Sequence, residues 1–310
     1  MQLSTIKQGK SLELAILEQI VFLDLFDYPL TAYEVFSKMG KGVSLEVVWI
    51  CLEKLVEMEI IAEADGFYFL KGRRDIIEVR NRRYNYSCSK LKIARRFSFL
   101  FSWFPGVKAV AAVNFIGGHN LRQGSDIDFF IITATRRIWL SRLFCAGAAK
   151  LLNRRPTRLR KKDKICLSFY VADSSLDLSN LALAGQADPY FYHWLQGVLP
   201  LSGNKTIWKK FQEANRLGNV YEDTSYYADT DYSQTNSAIQ PIGRKLVDFL
   251  EKAAKMLQLK IMAPDLKAAM NKSDGVVVSD EVLKLYLSDR RLEFADKFNN
   301  KLNEVTSPLN

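Results

Sequence analysis

The chain has 310 residues and a mass of 35.5 kDa, a length that suggests two or three domains with a core large enough to need no disulfide or structural metal. Its composition, 48% hydrophobic and 25% charged, is that of an ordinary folded protein and excludes a disordered, collagen-like or disulfide-stapled chain. Lys and Arg exceed Asp and Glu by 44 − 34 = +10, which favours an anionic partner such as a nucleotide, a nucleic acid or an acidic membrane surface.

Residues 1–75 carry the signals of three helices and a hairpin. Apolar residues fill 12–26, Thr31 with Glu34 forms a capping box, and Ser44 can cap a third helix that runs to about residue 59. Asp65 and Gly66 between two apolar runs predict a β-hairpin. This order of elements predicts a winged-helix domain.

A winged helix invites the interpretation that the protein binds DNA. The third predicted helix, however, is rich in glutamate and has Lys54 as its one basic residue, so phosphate repulsion disfavours DNA binding through it. Because residues 71–83 are basic, contact with DNA through the wing is not excluded.

Residues 76–175 predict an α/β core, with a helix over 75–104, strands over 107–116, 126–133 and 165–171, and a helix over 136–152. Residues 176–310 predict a mainly helical C-terminal region with a polar linker near 219–239 and amphipathic helices at 242–259 and 280–305. The expected fold class is therefore α+β: a winged helix, a central mixed sheet with flanking helices, and a helical C-terminal region.

The cysteines and histidines give no metal-binding pattern. Four dispersed cysteines and two histidines lack the spacing of a zinc site, and the cysteines are interpreted as small buried residues in a reducing cytosol. His119 is interpreted as an ordinary loop histidine and the aromatic run 190–194 as core. Because residues 1–10 lack the apolar core of a signal peptide and no stretch is suited to a bilayer, we expect a cytoplasmic protein without a membrane span.

Two aspartates stand at the start of the second predicted strand of the core. Alternate residues of a strand share a face, so Asp126 and Asp128 point the same way with their Cα atoms about 6.6 Å apart. Carboxylates at that spacing can hold Mg²⁺. The alternative is a pair of solvent-facing acids, against which their mutual repulsion argues.

The loop before these aspartates offers groups for phosphate. Gly117 and Gly118 would let backbone amides approach phosphate oxygens, and Asn120 and Arg122 could donate to them. The basic segment 136–164 is interpreted either as a solvated surface or as an anion-binding rim close to the aspartates.

The pattern Ile116-Gly117-Gly118, a loop, then Ser125-Asp126-Ile127-Asp128 resembles the nucleotidyltransferase superfamily, which includes DNA polymerase beta and minimal nucleotidyltransferases. The resemblance covers about residues 107–171. It implies Mg²⁺-dependent transfer of a nucleoside monophosphate from a nucleoside triphosphate, with ATP the expected substrate, to a hydroxyl of a small molecule, a protein or an RNA. It assigns Asp126 and Asp128 to the metal and to catalysis. The nucleotide-binding residues would be Gly117, Gly118, Asn120, Arg122 and Ser125.

This chain departs from the family pattern in two ways. Gly118 stands where the family commonly has serine, and the strand that usually bears a third carboxylate has Ser168 instead, which leaves Asp173 as the acid that could complete the site. Transfer could therefore be slow or lost while nucleotide binding survives. The alternative function is a non-catalytic winged-helix regulator that binds nucleic acid or a protein partner.

Overall fold

The structure, a computed structural model, describes residues 11–39, 42–114, 117–157, 159–217 and 243–307. The linker predicted near 219–239 lies outside the described residues. No helix in the described ranges combines the length and the apolar character that a membrane crossing requires.

Three helices and a hairpin form the N-terminal unit in the predicted order. They are α1 (Leu12–Asp24), α2 (Ala32–Met39), α3 (Leu45–Glu57), β1 (Ile61–Ala64) and β2 (Phe67–Leu70). The predicted caps form: the Ser44 side chain accepts a backbone hydrogen bond at the start of α3, and Thr31 and Glu34 bond reciprocally. The Ser11 side chain caps α1 in the same way.

Three of the six basic residues after the hairpin bind buried or half-buried carboxylates of the N-terminal unit. Arg73 pairs with Asp24 and Asp27, Arg80 binds Glu34 through both of its terminal nitrogens, and Arg83 pairs with Asp27. Lys71, Arg74 and Arg82 of the same stretch are exposed, so contact with DNA through the wing stays a prediction.

The central part contains α4 (Ile76–Ser102), β3 (Val107–Ala112), β4 (Ile127–Thr133), α5 (Ile138–Leu151) and β5 (Ile165–Ala172). This is the predicted succession of helix, strand, strand, helix and strand. Strands β3 and β4 pair antiparallel, whereas β4 and β5 pair parallel with α5 as the crossover.

The C-terminal part contains strands as well as helices, which corrects the prediction of a helical region. Its elements are α6 (Pro189–Gln196), β6 (Leu199–Ser202), α7 (Lys205–Ala214), α8 (Arg244–Ile261), α9 (Pro264–Ala269), β7 (Val276–Val278), β8 (Val282–Leu285) and α10 (Arg291–Thr306). The helix predicted from residue 280 begins only at Arg291. Strands this short are stabilised by partners distant in sequence, so local periodicity cannot reveal them.

These strands complete one mixed six-stranded sheet with the order β6-β3-β4-β5-β8-β7. Helices α4, α5 and α8 cover one face, where Phe101, Trp139 and Tyr170 belong to the core. Helices α6 and α7 cover the other face, where Phe130 of β4, Phe169 of β5 and Phe211 of α7 belong to the core. The fold is therefore α+β with a mixed sheet at its centre, and β4 and β5 lie in the middle of that sheet.

Candidate functional site

Asp126 and Asp128 lie at the start of β4, on the same face of the strand. Asp126 immediately precedes the strand and Asp128 is its second residue, while Ile127 between them is fully buried. Both carboxylates are half-buried. The alternation of the strand therefore directs them to one place, as the sequence predicts.

Cys166 is the third member of this group, and the sequence interpretation missed it. Strand β5 runs parallel to β4 with Cys166 opposite Asp128, and the Cys166 Sγ and one oxygen of each aspartate all lie within 4.8 Å of one another. The Sγ also lies 3.0 Å from the Ser168 Oγ. The expectation that the cysteines are buried holds for Cys51 and Cys145, whereas Cys88 and Cys166 are half-buried. The available signal was the alternation that places Cys166 and Ser168 on one face of β5.

The electrostatics of this group favour a cation. Burial first, and the charge of Asp126 second, raise the pKa of Asp128 from 3.8 to about 6, against polar contacts from Asn114 and Cys166 that lower it. Burial and the neighbouring Asp128 also raise the pKa of the Cys166 thiol well above its ordinary value. A divalent ion between the side chains would remove this repulsion.

An unpaired hydroxyl lies beside the same group. The Tyr286 Oη is buried and has no hydrogen-bond partner among the residues that the structure describes. Burial and the charges of Asp128 and Cys166 raise the pKa of this hydroxyl well above the ordinary range. Buried polar atoms are seldom left unsatisfied. This hydroxyl is therefore available to a polar ligand, and the donor set of two carboxylates and a thiol fits a divalent metal ion.

A buried lysine fixes the turn that leads into β4. Lys90 on α4 is 1% exposed, and its Nζ donates to the carbonyls of Gln123 and Ser125 and to the Asp163 carboxylate at 3.1, 2.7 and 2.6 Å. The Ser125 Oγ donates to the Arg122 carbonyl at 3.0 Å, and that hydroxyl accordingly shapes the turn. Lys90 and Ser125 thereby hold the backbone from which Asp126 projects.

Gly117 and Gly118 are exposed and line a cleft of about 260 Å³ between the N-terminal unit and the sheet. Asn114 joins this cleft to the aspartates, since it lines the cleft and contacts Asp128. A Cβ added to Gly117 would meet its neighbours only at ordinary van der Waals distance, so packing does not demand glycine there. Ile116 of the family-like pattern lies outside the described residues.

Two of the predicted site residues are engaged elsewhere. Asn120 is buried, and its amide donates to the Phe26 carbonyl and accepts from Arg83, so it holds the end of α1 and is not free for phosphate. Asp173 follows the far end of β5, where its carboxylate accepts from the Thr135 amide and hydroxyl at 2.9 and 2.6 Å. Because β4 and β5 are parallel, Asp173 and Asp128 lie at opposite ends of the strands, and the structure does not bring Asp173 to the site.

The remaining predicted features are placed as follows. Arg122 is exposed on the loop, and residues 159–162, with Gly124 and Lys164, border an open basic depression beside the turn before Asp126. His119 packs against the Tyr84 ring, with centroids 4.8 Å apart. In the aromatic run 190–194, Trp194 stacks on Phe169. The predicted core role holds for Phe191, which is buried, whereas Tyr190, His193 and Trp194 are half-buried and also line the cleft.

Comparisons with family models, with curated proteins and with solved structures gave no match to this chain.

Proposed function

We propose that this chain is a divalent-cation-dependent nucleotidyltransferase, or a nucleotide-binding derivative of one, that moves a nucleoside monophosphate from a nucleoside triphosphate to an acceptor hydroxyl. The observation that carries the proposal is the convergence of Asp126, Asp128 and Cys166 within 4.8 Å. The cleft beside them, lined by Gly117 and Gly118, supplies space for the phosphates. In this proposal the N-terminal unit is a winged helix and the mixed sheet is the nucleotidyltransferase core.

Each part of the site has a role in this chemistry. Asp126 and Asp128 would hold Mg²⁺, which neutralises a triphosphate and polarises the phosphorus that is attacked. The backbone at Gly117 and Gly118 would bind phosphate oxygens, and Lys90 keeps the turn before Asp126 in place. On β5, Cys166 and Ser168 stand where a third carboxylate would activate the acceptor hydroxyl. We therefore expect nucleotide binding with slow transfer.

Titration calorimetry of MgATP and of the other Mg-nucleoside triphosphates tests the proposal. The wild-type protein should bind at least one of them, and Asp126→Asn and Asp128→Asn should each weaken binding at least about tenfold, because each removes a ligand from the cation. Asp173→Asn is the matched control, since it removes an acid from the other end of the same strand pair and should leave binding unchanged. Failure of the wild-type protein to bind any nucleoside triphosphate would refute the proposal.

Transfer itself needs a separate readout. Incubation with ATP labelled at the α-phosphate, in the presence of total RNA, a mixture of proteins or small hydroxyl compounds, should label one acceptor class. Labelling that persists in the Asp126→Asn/Asp128→Asn double variant would show that this site does not carry the reaction.

The second candidate function is recognition of a protein partner by the N-terminal unit. The outer face of α3 exposes Trp49 and Ile50, 56% and 61% accessible, next to the acidic Glu46 and Glu53. An apolar and acidic face suits a protein surface better than DNA. Filter binding to duplex DNA across a salt series separates the two: tight binding that weakens steeply with salt would contradict a protein-binding face.

A further inference from the structure

A lysine of the N-terminal unit projects into the cleft that Gly117 and Gly118 line. Lys38 lies in the last turn of α2 and is half-buried, and it makes no ion pair and no hydrogen bond with any residue that the structure describes. Burial lowers its pKa from the ordinary value, and the nearby Glu34 only partly opposes this effect. An ammonium group in this position lacks a counter-ion.

The neighbours of Lys38 do not supply that counter-ion. Glu34 is committed to Arg80, which it binds through both oxygens at 2.7 and 2.8 Å, and it also accepts a hydrogen bond from the Tyr28 hydroxyl. His193 stacks on Phe22 with ring centroids 3.9 Å apart, and burial and the charge of Lys38 hold its pKa well below the ordinary value. The uncompensated charge of the cleft is therefore positive.

The remaining lining of the cleft suits a small anion. Gly117 and Gly118 are exposed there without side chains, and the cleft volume of about 260 Å³ lies just below the range of roughly 300–1,000 Å³ of complete small-molecule sites. A phosphate or diphosphate group fits such a space better than a whole nucleotide does. Asn114 lines the cleft and contacts Asp128, so a bound anion would lie next to the proposed cation.

We propose that Lys38 of the N-terminal unit and the backbone of Gly117 and Gly118 form an anion site for the phosphate groups of the nucleotide. The identification of that anion as part of a nucleotide rests on the proposed function, whereas the anion site itself rests on the cleft. The N-terminal helices thereby contribute directly to substrate binding.

Calorimetric titration of the full chain with sodium pyrophosphate in EDTA, and with MgATP, tests this assignment. Lys38→Met should weaken binding of both ligands about tenfold to a hundredfold, the loss that corresponds to one charge-assisted hydrogen bond. Lys38→Arg should retain part of the affinity because it keeps the charge. Lys71→Met is the matched control, because Lys71 is exposed and pairs with Glu59 away from the cleft.

The outcomes separate this inference from the proposed function. If MgATP binds through Asp126 and Asp128 but Lys38→Met binds as tightly as the wild type, the anion site is refuted and the proposed function stands. If Lys38→Met weakens pyrophosphate binding while the substitutions of Asp126 and Asp128 weaken the binding of no triphosphate, the anion site stands and the proposed function fails. Absence of any pyrophosphate or MgATP binding refutes both.

Acetylation with limiting reagent, read by mass spectrometry, gives a second measurement on the unaltered protein. Pyrophosphate should reduce modification of Lys38 at least about fivefold, because a charge-assisted hydrogen bond occupies its nitrogen, and should leave Lys71 unchanged. Equal modification of Lys38 with and without pyrophosphate would overturn the assignment, whether or not the substituted proteins fold.

Discussion

Asp128 bears the strongest electrostatic conflict in the candidate site, because its pKa is raised from 3.8 to about 6 by burial and by Asp126. A carboxyl group whose pKa is higher in the folded chain than in the unfolded chain contributes stability below about pH 4, and that contribution is lost as the pH rises through about 6. At neutral pH the ionised side chain therefore destabilises the metal-free protein. A bound cation at the proposed site would remove this cost in stability.

Asp128→Asn should stabilise the metal-free protein at neutral pH by on the order of 1–3 kcal/mol, because it removes one of two like charges. The measurement is urea unfolding in EDTA at about pH 7.5 and about pH 4.5, and the gain should shrink at the lower pH, where the folded wild type is already protonated at Asp128. Asp173→Asn should show no such gain. An equal gain in stability at both pH values would mean that ionisation of Asp128 does not destabilise the folded protein.

Cys166 distinguishes this site from one built of carboxylates alone. A thiolate favours softer metal ions than Mg²⁺, so Cd²⁺ should bind with a sulfur charge-transfer absorption band. Cys166→Ser should abolish that band and weaken Cd²⁺ binding at least about tenfold, with little effect on Mg²⁺. Cys88→Ser, at another half-buried cysteine, is the control. A band that persists in Cys166→Ser would place the thiol outside the metal site.

At the scale of elements, α4 supports the site through Lys90, which holds two carbonyls and Asp163 around the turn before β4. Lys90→Met should destabilise the protein by about 3–5 kcal/mol, because it leaves Asp163 and the two carbonyls without their cation. Urea unfolding measures this loss, and Lys92→Met, at an exposed lysine on the same helix, should change stability by less than about 0.5 kcal/mol. Similar values for the two variants would contradict a supporting role for Lys90.

At the scale of the whole molecule, the C-terminal helix completes the N-terminal unit. Phe298 of α10 is 9% exposed and belongs to the same core as Leu17 and Val21 of α1, and Lys301 pairs with the buried Asp24. The N-terminal unit and the C-terminal part therefore share a core, although the sequence suggests separate domains.

Phe298→Ala should cost about 3 kcal/mol, since it opens a cavity in that shared core. Hydrogen exchange of the amides in α1 should accelerate together with those of α10, and global unfolding by urea should remain a single transition. Leu292→Ala, at a position 56% exposed on the same helix, is the control. Unchanged exchange in α1 would show that the N-terminal unit is stable without α10.

The sequence by itself determined the elements whose signals are local. The capping box of Thr31 and Glu34, the Asp65-Gly66 hairpin and the succession of strands and helices from 107 to 172 follow from backbone preferences and periodicity, which need no distant partner. The convergence of Asp126 and Asp128 was equally local, because the alternation of a strand places both on one face.

Only the tertiary structure decided which other residues lie next to Asp126 and Asp128. The parallel register of β4 and β5 brings Cys166 to Asp128 and carries Asp173 to the opposite end of the strands. The fold also places Lys38 of α2 in the same cleft as Gly117 and Gly118. These contacts join residues that are far apart in the chain. They are fixed by the pairing of strands and by the burial of apolar faces, which depend on the whole fold, so no local sequence pattern could show them.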